Sequence, residues 1–217
     1  MKTFNNDVLF EEEYSRAKVV NLLKIKGVLK MLGIINEPKN AIVYEYIDGM
    51  SLRRMMQECN PPDKIKFKIL KNLSKSLRKL SDVGFYHRDI KPENVMISQS
   101  LRPVLIDLGS ICNDKEFPCE KSHVSELYLA PEFYNDKPIN YEKSDVYSLG
   151  LLCLEMFHGE LFDSFNSFRI LYLKLKFHEK DHRFSKLLCN EVVKRANMKE
   201  AYKILKELCH SSKNKHP

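Results

Sequence analysis

Glycine is scarce in this chain. There are seven in 217 residues, the first is Gly27, and no two stand in the G-x-G-x-x-G spacing of a backbone phosphate cradle. Six cysteines, at positions 59, 112, 119, 153, 189 and 209, include no C-x-x-C pair, which excludes zinc and dithiol sites of that spacing. No secretory leader is read, so reduced thiols in a cytosolic or nuclear compartment are expected, with Cys112 and Cys119, which flank a loop, as an alternative redox pair. Long apolar runs are also lacking. The best stretch, Val19 to Ile35, carries Lys24, Lys26 and Lys30, which makes a membrane span too costly. No internal repeat or low-complexity linker occurs.

What is present is ordinary for one globular domain. A hydrophobic fraction of 43% is enough for a real core. The net charge of +7 comes from lysines spread along the chain, which reads as a solvated surface and not as a specific nucleic-acid stripe.

Periodicity places a helix over Phe10–Leu23, with Phe10, Tyr14, Ala17 and Leu22 on one face. Val28–Ile35 and Asn40–Ile47 read as strands joined by a hairpin connection, with Gly49 breaking the second. Ser51 caps a short helix. A long amphipathic helix over Asp63–Val83 repeats Ile65, Ile69, Leu73, Leu77 and Leu80, with Asp63 as its cap. Short strands follow around 95–97 and 104–106, then a loop to Pro131, a hydrophobic helix over Ser144–Phe157 and further helices.

The chemistry concentrates in His87-Arg88-Asp89-Ile90-Lys91-Pro92-Glu93-Asn94. The Asp89 carboxylate suits a hydroxyl proton, the Lys91 ammonium a moving phosphoryl group, and the Asn94 amide oxygen a metal. Asp107-Leu108-Gly109 follows thirteen residues beyond Asn94, after an apolar strand. Asn94 and Asp107 offer two hard oxygen ligands of the kind Mg²⁺ takes.

These segments resemble the catalytic loop and the metal-binding D-F-G motif of eukaryotic-type Ser/Thr protein kinases, with Leu108 in place of Phe. Ala130-Pro131-Glu132 is similar to A-P-E, with Ser125 and Tyr128 upstream in the family's T/S-x-x-Y arrangement. Asp145-Val146-Tyr147-Ser148-Leu149-Gly150 resembles the start of the central large-lobe helix. Lys194-Arg195-Ala196 resembles the late segment whose Arg pairs with the A-P-E Glu, so a Glu132–Arg195 ion pair is expected. Val43 to Leu52 resembles the hinge, which implies backbone contacts from Glu45 and Ile47 to adenine, Met96 beneath the ring and Tyr44 as gatekeeper.

The resemblance implies an α+β, two-lobed fold with a reduced N-lobe sheet and a mostly helical C-lobe. Its divisions are a partial N-lobe over 1–48, a C-lobe over 49–210 and a disordered basic tail over 211–217. It implies ATP and Mg²⁺ as cofactors and a protein substrate phosphorylated on Ser or Thr, with Ser125 holding Asp89 and Lys91 in register. Ser122 is best placed to carry a regulatory phosphate back onto Arg88. Upstream, Lys2 takes the place of the phosphate-anchoring lysine, and Glu13 that of its partner, at the cost of a small insertion. The missing glycine loop implies an N-terminally truncated domain or weak ATP binding. The alternative is an N-lobe-deficient homologue that docks on another kinase or its substrate.

Overall fold

The computed structural model describes residues 1–113, 115–119, 126–135, 138–159 and 182–212. The chain opens with a short edge strand, β1 (Lys2–Thr3), and then helix α1 (Asp7–Leu22). The Asn6 side chain accepts from the amides of Val8 and Leu9, which starts α1 three residues before the expected Phe10. Its buried stripe is Phe10, Glu13, Ala17 and Val20, whereas Leu22, expected inside, is 72% exposed. A carboxylate on the buried face of a helix demands a partner.

Strands β2 (Met31–Ile35) and β3 (Ala41–Tyr44) form the expected hairpin, and β1 pairs with the other side of β3, giving the order β1-β3-β2. β3 stops three residues before the expected Ile47. Gly49, expected to break a strand, instead opens β4 (Gly49–Ser51), which pairs with β5 (Val95–Ser98). A Cβ at Gly49 would lie 1.9 Å from the Ile97 carbonyl oxygen, so only glycine lets these backbones meet. β6 (Pro103–Leu105) completes this second antiparallel sheet.

Ser51 caps α2 (Leu52–Glu58) as expected, accepting from the Arg54 amide. α3 (Asp63–Ser81) buries Ile69, Leu73, Leu77 and Leu80. Its cap position is Pro62, not Asp63; Asp63 is the first helical residue, where its charge faces the positive helix end. α4 (Tyr141–His158) is buried continuously from Ser144 to Met156. α5 (Met198–Ser211) begins with a capping box between Asn197 and Glu200 and packs along α3. One apolar core runs from Ala17 and Val20 through α3 and α4 to α5. The fold is α+β, with small sheets toward the N-terminus and helices beyond, as the sequence implies. Among the described residues no helix is long and apolar enough to cross a membrane.

The expectation of six reduced thiols is corrected at one pair, because Cys112 and Cys119 form a disulfide. Two backbone hydrogen bonds tie Cys112 to Tyr86, and the Cys119 carbonyl accepts from the Tyr141 hydroxyl, which brings the Cα atoms within 5.2 Å. Cys59, Cys153, Cys189 and Cys209 are in no disulfide.

Candidate active site

Three segments remote in sequence converge on Lys2. Pairing of β1 with β3 sets Lys2 opposite Ile42, and its Nζ donates to Glu13 Oε2 at 2.6 Å and to Asp107 Oδ1 at 3.1 Å. Burial pulls the Lys2 pKa down, but the Glu13 and Asp107 carboxylates outweigh it and hold the ammonium above its ordinary value. The Tyr44 hydroxyl donates to the other Glu13 oxygen at 3.3 Å. Burial and that carboxylate push the phenol far above its ordinary range. Gly109 sits against this cluster. A Cβ there would lie 3.0 Å from Glu13 Oε2, so α1 docks on the turn after Asp107 because position 109 has no side chain.

A second cluster forms in the loop between α3 and β5. Lys91 Nζ lies 2.8 Å from Asp89 Oδ2, and Asn94 Nδ2 donates to that same oxygen at 2.6 Å and to the Asp89 carbonyl at 2.9 Å. Asp89 and Asn94 are buried, and the Ile106 amide donates to the Asn94 carbonyl, fixing the loop to the end of β6 just before Asp107. With its amide nitrogen committed to Asp89, Asn94 is left with its oxygen as a ligand atom. Asp107 is 42% exposed at the side chain, with Oδ1 accepting from Lys2 and from the Gly109 amide. Among the described residues no three His, Cys, Asp or Glu gather into a protein-only cage. An amide oxygen and a carboxylate are hard donors of the kind Mg²⁺ takes, with phosphate and water completing its shell.

The backbone of this region is held in uncommon conformations. Arg88 and Asp107 have φ of 68° and 62°, the left-handed region, which costs a residue with a Cβ on the order of 1 kcal/mol or more. The surroundings hold Arg88 there. Asp145, buried at the start of α4, accepts from the amides of His87 at 2.7 Å and Arg88 at 2.8 Å. Burial pushes the Asp145 carboxyl up to about 7, against the pull of these two donors and of the Arg88 charge. Burial likewise lowers the His87 pKa.

Of the other site residues, Glu45 follows β3 and Ile47 lies in the connection to β4, while Met96 stands on β5 between Ser51 and Val104. The Glu45 amide donates to the Lys30 carbonyl, whereas the Glu45 carbonyl and the Ile47 amide make no hydrogen bond among the described residues. The expected Glu132–Arg195 pair is present, bidentate at 2.7 and 2.9 Å and fully buried. Ser122 and Ser125 lie outside the described residues.

One cluster escapes the sequence reading. Arg53 on α2 donates to Glu93 at 2.7 Å, to the Tyr128 hydroxyl at 2.9 Å and to Glu155 on α4, and Tyr128 also donates to Glu155. It ties the Asp89–Asn94 loop to the central helix. Its only signal in the sequence is Glu155 itself, one acid inside the apolar run from Leu149 to Phe157.

The family model of the protein kinase domain matches residues 1–217. The chain belongs to the protein kinase family. Among its relatives are the receptor-interacting serine/threonine-protein kinase 1 of Homo sapiens, 32% identical over 173 residues, and the cysteine-rich receptor-like protein kinase 1 of Arabidopsis thaliana, 30% identical over 173. The matches cover 70% and 75% of this chain but 25% and 28% of the relatives. This chain thus spans about a quarter of the length of the curated relatives it matches. Within this kinase domain, the loop carrying Asp89 and the turn carrying Asp107 are the two clusters just described.

Proposed function

We propose that this kinase domain transfers the γ-phosphoryl group of ATP to Ser or Thr hydroxyls of a protein substrate. The observation that carries the reading is Lys2 bonded at once to Glu13 and Asp107, since the ammonium is poised where phosphates would meet it. In this reading Asp89 orients the hydroxyl and takes its proton as the new oxygen–phosphorus bond forms and the β–γ bridge breaks. Lys91, already against Asp89, offsets the charge on the transferring group. Asn94 and Asp107 would hold Mg²⁺, which neutralises charge on the phosphates. Glu45, Ile47 and Met96 would receive adenine, and Ser125 would align Asp89 with Lys91. Residues 1–48 then act as the partial small lobe and 49–210 as the large one.

Incubation with Mg-ATP and a mixed protein substrate, followed by phosphoamino-acid analysis, tests this. Phosphoserine or phosphothreonine is expected, and Asp89→Asn or Asp107→Asn lowers turnover by about 10²-fold or more. Undiminished turnover in both variants rules out the site; phosphotyrosine alone rules out the Ser/Thr assignment.

The alternative reading is a module that docks on another kinase or on its substrate. Nucleotide titration with and without Mg²⁺ separates the two. Mg²⁺-dependent binding supports the enzyme, and no nucleotide binding supports the module.

A further inference from the structure

Lysines that are scattered along the sequence converge in space. Lys24, Lys26 and Lys30 from the α1–β2 connection, Lys75 and Lys79 from α3, and Arg102 before β6 line a single cleft of about 930 Å³. Its one acidic lining residue is Glu45, whose carboxylate accepts from the Lys30 amide at 3.0 Å. Among the described residues none of the six cations is in an ion pair. All but Lys79 are exposed. Six like charges facing one concavity repel one another, and the field between low-dielectric walls draws in anions.

The lining also restricts what kind of anion fits. Leu22, Ile25, Leu29 and Val104, none of them buried, supply apolar surface in the same lining. No aromatic residue or histidine lines the cleft, so bases have no stacking platform of the kind single-stranded nucleic acid uses. The volume is that of a ligand site and not of a flat charged face. We propose that the cleft binds a peptide segment of a partner protein in which phosphate groups flank apolar side chains. Phosphates pair with the lysines and Arg102, and the apolar side chains rest on Leu22, Ile25, Leu29 and Val104. Lys2, Asp89, Asn94 and Asp107 do not line it, so the inference stands apart from the catalytic reading; Glu45 alone is shared.

The probe is a fluorescein-labelled peptide of about six residues, roughly 20 Å when extended, alternating phosphoserine and leucine. Fluorescence anisotropy with the full chain is expected to show saturable binding that weakens with added salt. In the double variant Lys75→Glu/Lys79→Glu, on the exterior of α3, affinity is expected to fall at least about tenfold, as it is for the unphosphorylated peptide. Unchanged affinity in the variant overturns the proposal. So does equally tight binding of tripolyphosphate, which needs no apolar floor, or of a single-stranded oligonucleotide of the same charge. Amide shifts of the unaltered protein, recorded with the phosphopeptide, make the test independent of the variant's folding. Shifts across 24–30, 75–79 and 102–104 support the site, and shifts confined to residues around Asp89 and Asp107 refute it.

Discussion

Glu132 and Glu13 each hold a basic side chain from a remote segment, in opposite surroundings. In the Glu132–Arg195 pair the side chains are 3% and 0% exposed, and Arg195 also donates to the carbonyls of Cys189 and Lys143. Around Glu13, itself 8% exposed, Lys2 is 43% exposed and shared with an Asp107 that is 42% exposed. The first arrangement engages the guanidinium in four hydrogen bonds that hold α4 and the late segment together. The second divides one ammonium between two carboxylates at the water boundary, which in the proposed reading lets it turn to an arriving phosphate. Burial decides which ion pair is a clamp and which is a tool.

The widest separation between the two is expected in stability. Glu132→Ala leaves Arg195 buried without its carboxylate, and the domain loses about 3 kcal/mol. For a chain of this size that is a fall of roughly 6–12 °C in the thermal midpoint. A midpoint equal to the parent's would mean that Arg195 finds other partners. Arg53→Ala should come next. Among the described residues Glu155, with a side chain 0% exposed, then keeps Tyr128 alone, while Arg53 is 19% exposed, so a loss of about 2 kcal/mol is expected. Because Glu93 is released with it, turnover falls too; a loss of stability with unchanged turnover would detach this cluster from the Asp89 loop.

Gly109→Ala sharpens the comparison on the other side. The new Cβ meets Glu13 Oε2 at 3.0 Å, so the carboxylate must give by a few tenths of an ångström, with a cost of about 1 kcal/mol or less. The same displacement loosens the Lys2 bond, and nucleotide affinity should drop more than stability does. Equal thermal and binding behaviour in variant and parent would show that Glu13 adapts freely.

The clamp was legible in the sequence and the tool only in outline. Glu132 and Arg195 stand in motifs whose spacing resembles the family at both ends, as do Asp89, Lys91, Asn94 and Asp107. Lys2 and Glu13 have no such context, since the local pattern around Glu13 is a run of three glutamates, any of which could face inward. Tertiary packing chose: α1 begins at Asp7 through the Asn6 cap, and that start turns Glu13 toward Gly109. The strand at Gly49 was missed because a glycine reads as a breaker until the opposing carbonyl that requires it is seen. Arg53 was missed because its four-way junction draws on segments up to 102 residues apart. The basic cleft was hidden for the same reason, as lysines spaced along a sequence look solvated until three segments bring them together.

The smallest stability effect belongs to Lys2→Met. Lys2 and Asp107 sit at the water boundary, where their pairing is screened and contributes about 0–1 kcal/mol, and the buried Glu13 retains the Tyr44 hydroxyl. The raised Lys2 pKa makes that contribution present below about 10.5 and lost only as pH rises through the folded value, so nothing of it changes across the neutral range. Activity should respond in the opposite proportion. Without the ammonium the phosphates lose a positive charge that strengthens as charge moves in the transition state, and kcat/KM is expected to fall by about 10²-fold. Added salt should weaken the parent's nucleotide binding and leave that of Lys2→Met less affected, since the screened interaction is gone. Calorimetry and steady-state kinetics on the same preparation check the pairing. A variant that melts with the parent and turns over poorly identifies a working lysine; one that melts early and turns over normally makes Lys2 a structural tie and removes the observation on which the catalytic reading rests.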